Sequence, residues 1–297
     1  MKLVCFSDST KSYGVLEEDQ VICLSTLAKA LEQPYPHSLE ALISQSIKET
    51  SIEQLIQNAT KTTLEQAVFP LSKVKILAPI ATPPKIICLG LNYKNHAAEQ
   101  EKAPPDEPVI FMKPHTTIIG PNENIVKPHF VKQLDYEAEL AIVMGKKAKN
   151  VSANDAKSYI FGYTILNDVS ARDIQFKDKQ WTRGKSFDTF APTGPCITTT
   201  NQITDPTNLR ICTWVNKELR QDSNTSNMAL NVLEIVHHLS RVMTLEPCDI
   251  IATGTPAGVG FAMKPKSKFL QKDDVVEIEV EGIGVLRNRV VEDKATL

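Results

Sequence analysis

Glu137 and Glu139 stand two residues apart in Leu134-Asp135-Tyr136-Glu137-Ala138-Glu139-Leu140, which continues as Ala141-Ile142-Val143-Met144. Alternation followed by a β-branched run predicts a strand from Leu134 to Met144. Successive strand side chains take opposite faces, so the two glutamates share one face, with Cα atoms about 6.5–7 Å apart. Two ionised carboxylates in that position repel and are costly to desolvate. A hard divalent cation removes both costs, because Mg²⁺ and Ca²⁺ take carboxylate oxygens. For the pair alone, a solvated face competes evenly with a metal site, since Leu134, Tyr136, Ala138 and Leu140 make the opposite face mostly apolar.

A third carboxylate shifts that balance. Phe161 to Leu166 reads as a strand running into Asn167-Asp168-Val169-Ser170-Ala171-Arg172-Asp173. Asp168 therefore falls where a strand meets a loop, a usual support for a functional group. It completes a three-carboxylate set whose remaining positions go to water or substrate. No His/Cys cluster competes, which argues against zinc.

Other residues suit proton transfer and charge neutralisation. A strand ending near Gly90 leads to Asn92, which can open a short helix. On that helix His96 and Glu99, three apart, share a face. A carboxylate beside imidazole orients the ring and raises its basicity, as a general base requires. Taken alone, the pair reads first as an ordinary surface i,i+3 contact. Lys185 sits in Trp181-Thr182-Arg183-Gly184-Lys185-Ser186. A phosphate-binding P-loop needs glycine five residues before Gly184, and position 179 is Lys, so that motif is rejected. Lys185 instead suits an anionic substrate or a developing enolate. Ile250 to Gly260 reads as a strand entering a Gly-rich loop whose N–H groups can approach an anion; it is not a dinucleotide fingerprint.

The elements that must position these groups are mixed. Residues 1 to about 70 read as a small α+β unit with strands at Lys2–Phe6, Tyr13–Leu16 and Val21–Leu24, and residues 71–297 as a second, larger unit. In the second, Val74 to Pro79 reads as a strand, Asn231 to Met243 as a helix carrying His237 and His238 in structural roles, and Val275–Val280 with Val285–Val290 as a hairpin. Ser152 to Asp155 resembles a capping box before a short helix. The fold class is α+β.

Composition narrows the function. With 42% hydrophobic and 23% charged residues the chain reads as a soluble globular protein. A net charge of −2 offers no field for nucleic acid or an anionic membrane. The apolar runs are too short to span a bilayer, and the N-terminus lacks a signal-peptide apolar region. Six cysteines without a CxxC motif read as buried free thiols in a reducing compartment, giving a cytoplasmic expectation.

Taken together, these stretches resemble the fumarylacetoacetate hydrolase superfamily from about Val74 to Val291. The resemblance is carried by Gly90-Leu-Asn-Tyr-x-x-His96-x-x-Glu99, Asp135-Tyr-Glu137-x-Glu139, Asn167-Asp168-x-Ser-Ala-Arg-Asp173, Gly184-Lys185-Ser-Phe-Asp-Thr and Thr253-Gly-Thr-Pro-x-Gly258. Trp181 to Pro195 is most similar to the domain-containing branch that includes oxaloacetate tautomerases. The resemblance implies a mixed β-sandwich roll with flanking helices, usually a homodimer. It implies Mg²⁺ or Mn²⁺ (or Ca²⁺ in crystals) on Glu137, Glu139 and Asp168. It implies a His96–Glu99 dyad on a segment that closes over substrate, and a substrate-orienting Lys185. Asn92, Tyr93, Arg172, Gln175, Gly254 and Thr255 match substrate-binding positions. Cys248 departs from the family, which often has glycine there, as does the loop Pro121-Asn122-Glu123-Asn124.

The chemistry so implied acts on 2-oxo acids, which chelate the cation and form a stabilised enolate. From that enolate the family reaches C–C hydrolysis, oxaloacetate tautomerisation, decarboxylation or isomerisation of 2-hydroxyhepta-2,4-diene-1,7-dioate. A non-catalytic module binding a 2-oxo acid or metal is the rival of a different class; retention of both His96 and Glu99 argues for an enzyme.

Overall fold

The computed structural model describes residues 1–178 and 180–293. At its centre the strand Ala138–Met144 pairs antiparallel with Ile160–Asn167 on one side and Ile250–Ala252 on the other. Beyond Ile250–Ala252 lie Ile86–Gly90, paired in parallel, and Val109–Lys113. Beyond Ile160–Asn167 lie Ala191–Thr199 and Lys2–Ser7, through which Lys11–Glu17, Gln20–Cys23 and Val68–Pro70 carry the sheet to its far edge. Residues 1–70 and 71–297 are kept as proposed units, and the sheet crosses that boundary.

A second sheet of five strands, among them Arg210–Val215, Val275–Val280 and Gly284–Glu292, covers one face of the first. Leu140, Ile142 and Ile165 meet Ile211, Ile278, Leu286 and Val290 in one apolar cluster between them. On the other face Ala141, Val143, Leu166 and Ile250 pack with Leu24, Leu27, Leu39, Leu42 and Ile52 from the N-terminal helices. Both faces of the central strands are thus buried, which is why Leu140 to Met144 is an unbroken apolar run. The architecture is α+β, with the N-terminal helices on one face of the large sheet and the helix Val232–Val242 packed into the cluster on its other face. The helix Val232–Val242 starts at an Asn231–Glu234 capping box and buries Val232, Ile235, Val236 and Leu239, at helical spacing. The Ser152 turn leads to a short 3-10 helix, Ala156–Tyr159. All six cysteines are free and buried. No described helix is long and apolar enough to cross a membrane.

Two local expectations are corrected. The strand expected from Leu134 to Met144 is interrupted at Tyr136 and Glu137. Leu134–Asp135 pairs separately with Ser170–Ala171, and the long strand begins at Ala138. Side chains replace ladder bonds across the break. Asp135 accepts from the N–H groups of Tyr136 and Gly260, Glu137 N–H donates to Asn167, and Ala138 N–H donates to Gln221. Asn92 does not cap the short helix. Tyr93 holds the N-cap position of Lys94–Glu99 without a side-chain bond, because the Asn92 amide is engaged by Leu230 and the Thr253 carbonyl.

Candidate metal centre and proton-transfer site

The carboxylates of Glu137, Glu139 and Asp168 converge, each contributing an oxygen within 4.8 Å of the others. Strand register brings this about. Pairing of Ala138 with Asn167 places Asp168 beside Glu137, and Asp168 N–H donates to the Glu137 carbonyl at 2.9 Å. None of the three residues is more than 6% exposed.

Three buried cations surround them. Lys185 Nζ lies 2.9 Å from Glu137 Oε2 and 2.6 Å from Asp168 Oδ2. Lys113 Nζ lies 2.5 Å from Asp168 Oδ1, and Arg172 Nη1 lies 2.7 Å from Glu137 Oε1. Burial raises the Glu137 carboxyl, but Lys185 and Arg172 outweigh it and hold the group well below the usual carboxylate range. Glu139 goes the other way: burial, then Asp168 and Glu137, push its carboxyl well above that range. Burial lowers the Lys185 ammonium, yet Asp168 and Glu137 more than compensate and raise it.

This donor set fits a hard divalent cation. It offers only carboxylate oxygen, and Glu139 Oε1 is buried without a hydrogen-bond partner. Among the described residues it is the one cluster of metal-ligating side chains, and it holds no histidine or cysteine to favour zinc. Glu139 Oε2 accepts from Gly254 N–H at 2.7 Å. Gly254 has φ of +96°, and a Cβ there would stand 2.9 Å from that of Asn92, so only glycine brings this N–H to the carboxylate without strain.

Above the carboxylates, His96 Nδ1 lies 2.5 Å from Glu99 Oε1, and Glu99 Oε2 accepts from Gly258 N–H at 3.0 Å. An ionised carboxylate at Nδ1 favours the proton there and leaves Nε2 as the reactive nitrogen. His96 Nε2 is 2.9 Å from the Gln100 amide nitrogen. His96, Gln100, Glu137, Arg172, Gln175, Thr255 and Lys185 line one cavity, closed on its apolar side by Phe111, Phe176, Trp181 and Phe261. Its volume is about 30 Å³, room for a water or two but not for a 2-oxo acid.

The structure thus gathers His96, Lys185, Glu137, Arg172, Gln175 and Thr255 around one space, with Glu99 behind His96. Asn92 and Gly254 stand outside the cavity lining and hold its backbone. Tyr93 is fully buried, its hydroxyl unpartnered and held above its ordinary pKa by burial and by Glu139. Reasoning from sequence missed Lys113, Gln100 and Gln221, the last of which bridges the Ala138 N–H and Thr255 Oγ1. It quoted Asp135 without a role; this residue anchors Arg172 Nε at 2.9 Å. The Phe-Met-Lys113-Pro run ahead of the carboxylates was the available signal for Lys113; Gln221 had none.

Comparison with known proteins identifies the family. The C-terminal family model of fumarylacetoacetate (FAA) hydrolase matches residues 85–291. A fumarylacetoacetate hydrolase domain-containing protein 2 homolog from Dictyostelium discoideum is 41% identical, covering 98% of this chain and 97% of its own. The mitochondrial oxaloacetate tautomerase FAHD2B of Bos taurus is 43% identical, over 88% of this chain and 82% of its own. Among solved structures, a fumarylacetoacetate hydrolase from Exiguobacterium antarcticum superposes with a TM-score of 0.84 at 38% identity, covering 99% of this chain and 100% of that one. A maleylpyruvate hydrolase from Sphingobium, in complex with manganese (II) ion and pyruvate, gives 0.80 at 31% identity over 99% of each chain or more. By the family model and these relatives, the chain belongs to the fumarylacetoacetate hydrolase family, in the branch of domain-containing proteins and oxaloacetate tautomerases, and is an enzyme.

Proposed function

We propose that this enzyme catalyses keto–enol tautomerisation of oxaloacetate or a closely related 2-oxo acid, with Mg²⁺ or Mn²⁺ on Glu137, Glu139 and Asp168. The observation that carries this is the unpartnered Glu139 Oε1 within a carboxylate cluster that borders the His96 cavity. Net charge supports it. Asp135, Glu137, Glu139 and Asp168 face Lys113, Arg172 and Lys185, all buried. Fully ionised, the network carries one excess negative charge; a divalent cation reverses its sign, which suits an anionic ligand. The bound cation would supply Lewis-acid polarisation of the substrate's carboxylate and 2-oxo oxygens.

The protein's own residues do the rest. His96 Nε2 moves the proton at carbon 3, with Glu99 fixing the ring from Nδ1. Lys185 and Arg172 offset anionic charge, and Gln175 and Thr255 orient the substrate. Tyr93, Asn92 and Gly254 hold the backbone from which these groups project. The aromatic wall limits water once the segment 93–108 closes.

C–C hydrolysis of an acylpyruvate is the second reading, favoured by the likeness to the maleylpyruvate hydrolase. A homodimer is proposed from the resemblance. A reducing compartment such as the cytoplasm is supported by the six free buried thiols, with the mitochondrion as alternative because several relatives are named as mitochondrial. The test is a panel of 2-oxo acids with Mg²⁺ or Mn²⁺, recording enol absorbance, CO₂ release and pyruvate separately. Metal-dependent acceleration of oxaloacetate enol decay without pyruvate release is expected. Enol decay at the buffer rate, or acylpyruvate cleavage in its place, overturns tautomerisation as the activity.

A further inference from the structure

We infer that Gln100 selects for substrates with a carboxylate at carbon 4: its side-chain amide, which in the structure covers the proton-accepting nitrogen of His96, turns to that carboxylate when substrate takes its place. This rests on the reading of His96 as the group that moves the proton at carbon 3. Both partners of the imidazole come from its own helix, Lys94–Glu99, and from the residue that ends it, since residues three and four apart share a face. Glu99 Oε1 takes Nδ1 at 2.5 Å, and the Gln100 amide nitrogen lies 2.9 Å from Nε2. Counting protons fixes the roles. An ionised Glu99 only accepts, and its other oxygen already accepts from Gly258 N–H. The ring proton therefore sits on Nδ1, and Nε2 is an acceptor facing an amide donor.

A neutral imidazole nitrogen without hydrogen has one lone pair, in the plane of the ring. The Gln100 N–H and a proton leaving carbon 3 cannot both use it, so the amide must leave before His96 can act. Nothing locks it in place. Gln100 is half-buried and stands where the helix ends, with φ of −98° and ψ of 8°. Its side chain lines the same cavity as His96, Arg172, Lys185 and Thr255, so a displaced amide stays beside the substrate. In the proposed reaction the substrate's carboxylate and 2-oxo oxygens lie toward Glu137, Glu139 and Asp168, and carbon 3 lies at His96. Carbon 4, on the far side of carbon 3, is then the neighbour of Gln100.

Selection follows from what the amide loses and regains. A carboxylate at carbon 4, as in oxaloacetate, replaces the lost bond with a charge-assisted one. A methyl group there leaves the donor unmatched in a cavity walled by Phe111, Phe176, Trp181 and Phe261, which is costly. The test is exchange of the carbon-3 hydrogen in D₂O with Mn²⁺, followed by NMR, for oxaloacetate and for 2-oxobutyrate, which carries a methyl group at carbon 4. In Gln100→Met, kcat/KM for oxaloacetate should fall about tenfold while that for 2-oxobutyrate holds or rises. Inhibition by oxalate, which has no carbon 4, should stay at the parental value. Gln100→Leu, also without a donor, serves if the Met variant fails thermal melting. A fall for oxaloacetate with oxalate inhibition intact supports the inference even where 2-oxobutyrate exchanges only at the buffer rate. An unchanged kcat/KM for oxaloacetate, a fall shared equally by both acids, or a matching loss of oxalate inhibition overturns the inference and leaves the proposed reaction standing. Absence of metal-dependent exchange of oxaloacetate in the parental enzyme overturns both.

Discussion

The carboxylate cluster and the dyad reach the same cavity through Glu137 and His96 but are built in opposite ways. The cluster stands on the central strands of a sheet covered on both faces, and its groups are fixed by charge-assisted bonds of 2.5 to 2.9 Å. The dyad rides on a single six-residue helix, Lys94–Glu99, followed by the proline-rich stretch Ala103 to Pro108. Its attachment to the body comes through Glu99 to Gly258 at 3.0 Å and through contacts of Asn95 with Ser223 and Ala257 at 3.4 Å. The charged cluster stands on paired central strands, whereas the proposed proton-transfer pair stands on one short helix ahead of a proline-rich loop. On the proposed reading, it is this second region that closes over a bound substrate.

The most severe test of this contrast is Glu139→Ala. It should abolish Mn²⁺ binding and lower metal-dependent turnover by about 10³-fold or more, since a Lewis-acid cation contributes several kcal/mol. Full activity in that variant, or after chelation, would remove the cation from the reaction. Next, His96→Ala should lower kcat by roughly 10²–10⁴ while leaving oxalate affinity near the parental value. Oxalate binding lost in step with kcat would show the two regions acting as one. Glu99→Gln keeps a carbonyl for Gly258 but loses the charge at Nδ1; steady-state rates should fall about tenfold, less than for His96→Ala. A fall as deep as that of His96→Ala would give Glu99 a part in the chemistry beyond orientation.

The smallest effect is expected from hydrogen exchange. Oxalate with Mn²⁺ should slow exchange in residues 93–108 several-fold and leave 138–144 as protected as before, because core strands already exchange only through large openings. Equal protection of 93–108 with and without ligand would show that the helix does not act as a lid.

Much of this was determined by local sequence. Period-2 alternation and continuous apolar runs marked the buried strands, helical spacing marked Val232 to Val242, and spacing alone put Glu137 with Glu139 and His96 with Glu99. Each of these relations spans a few residues, where strand and helix geometry dictate which side chains are neighbours. The break at Tyr136 and Glu137 was invisible because it depends on Gln221 and Gly260, far along the chain. Likewise Lys113 and Asp168 are 55 residues apart, and nothing local says that an ammonium from one strand end will meet a carboxylate from another. Whether Lys185 faced solvent, substrate or carboxylates was decided only when the sheet register brought Glu137 and Asp168 side by side. Burial there leaves a charged group no stable place except against an opposite charge.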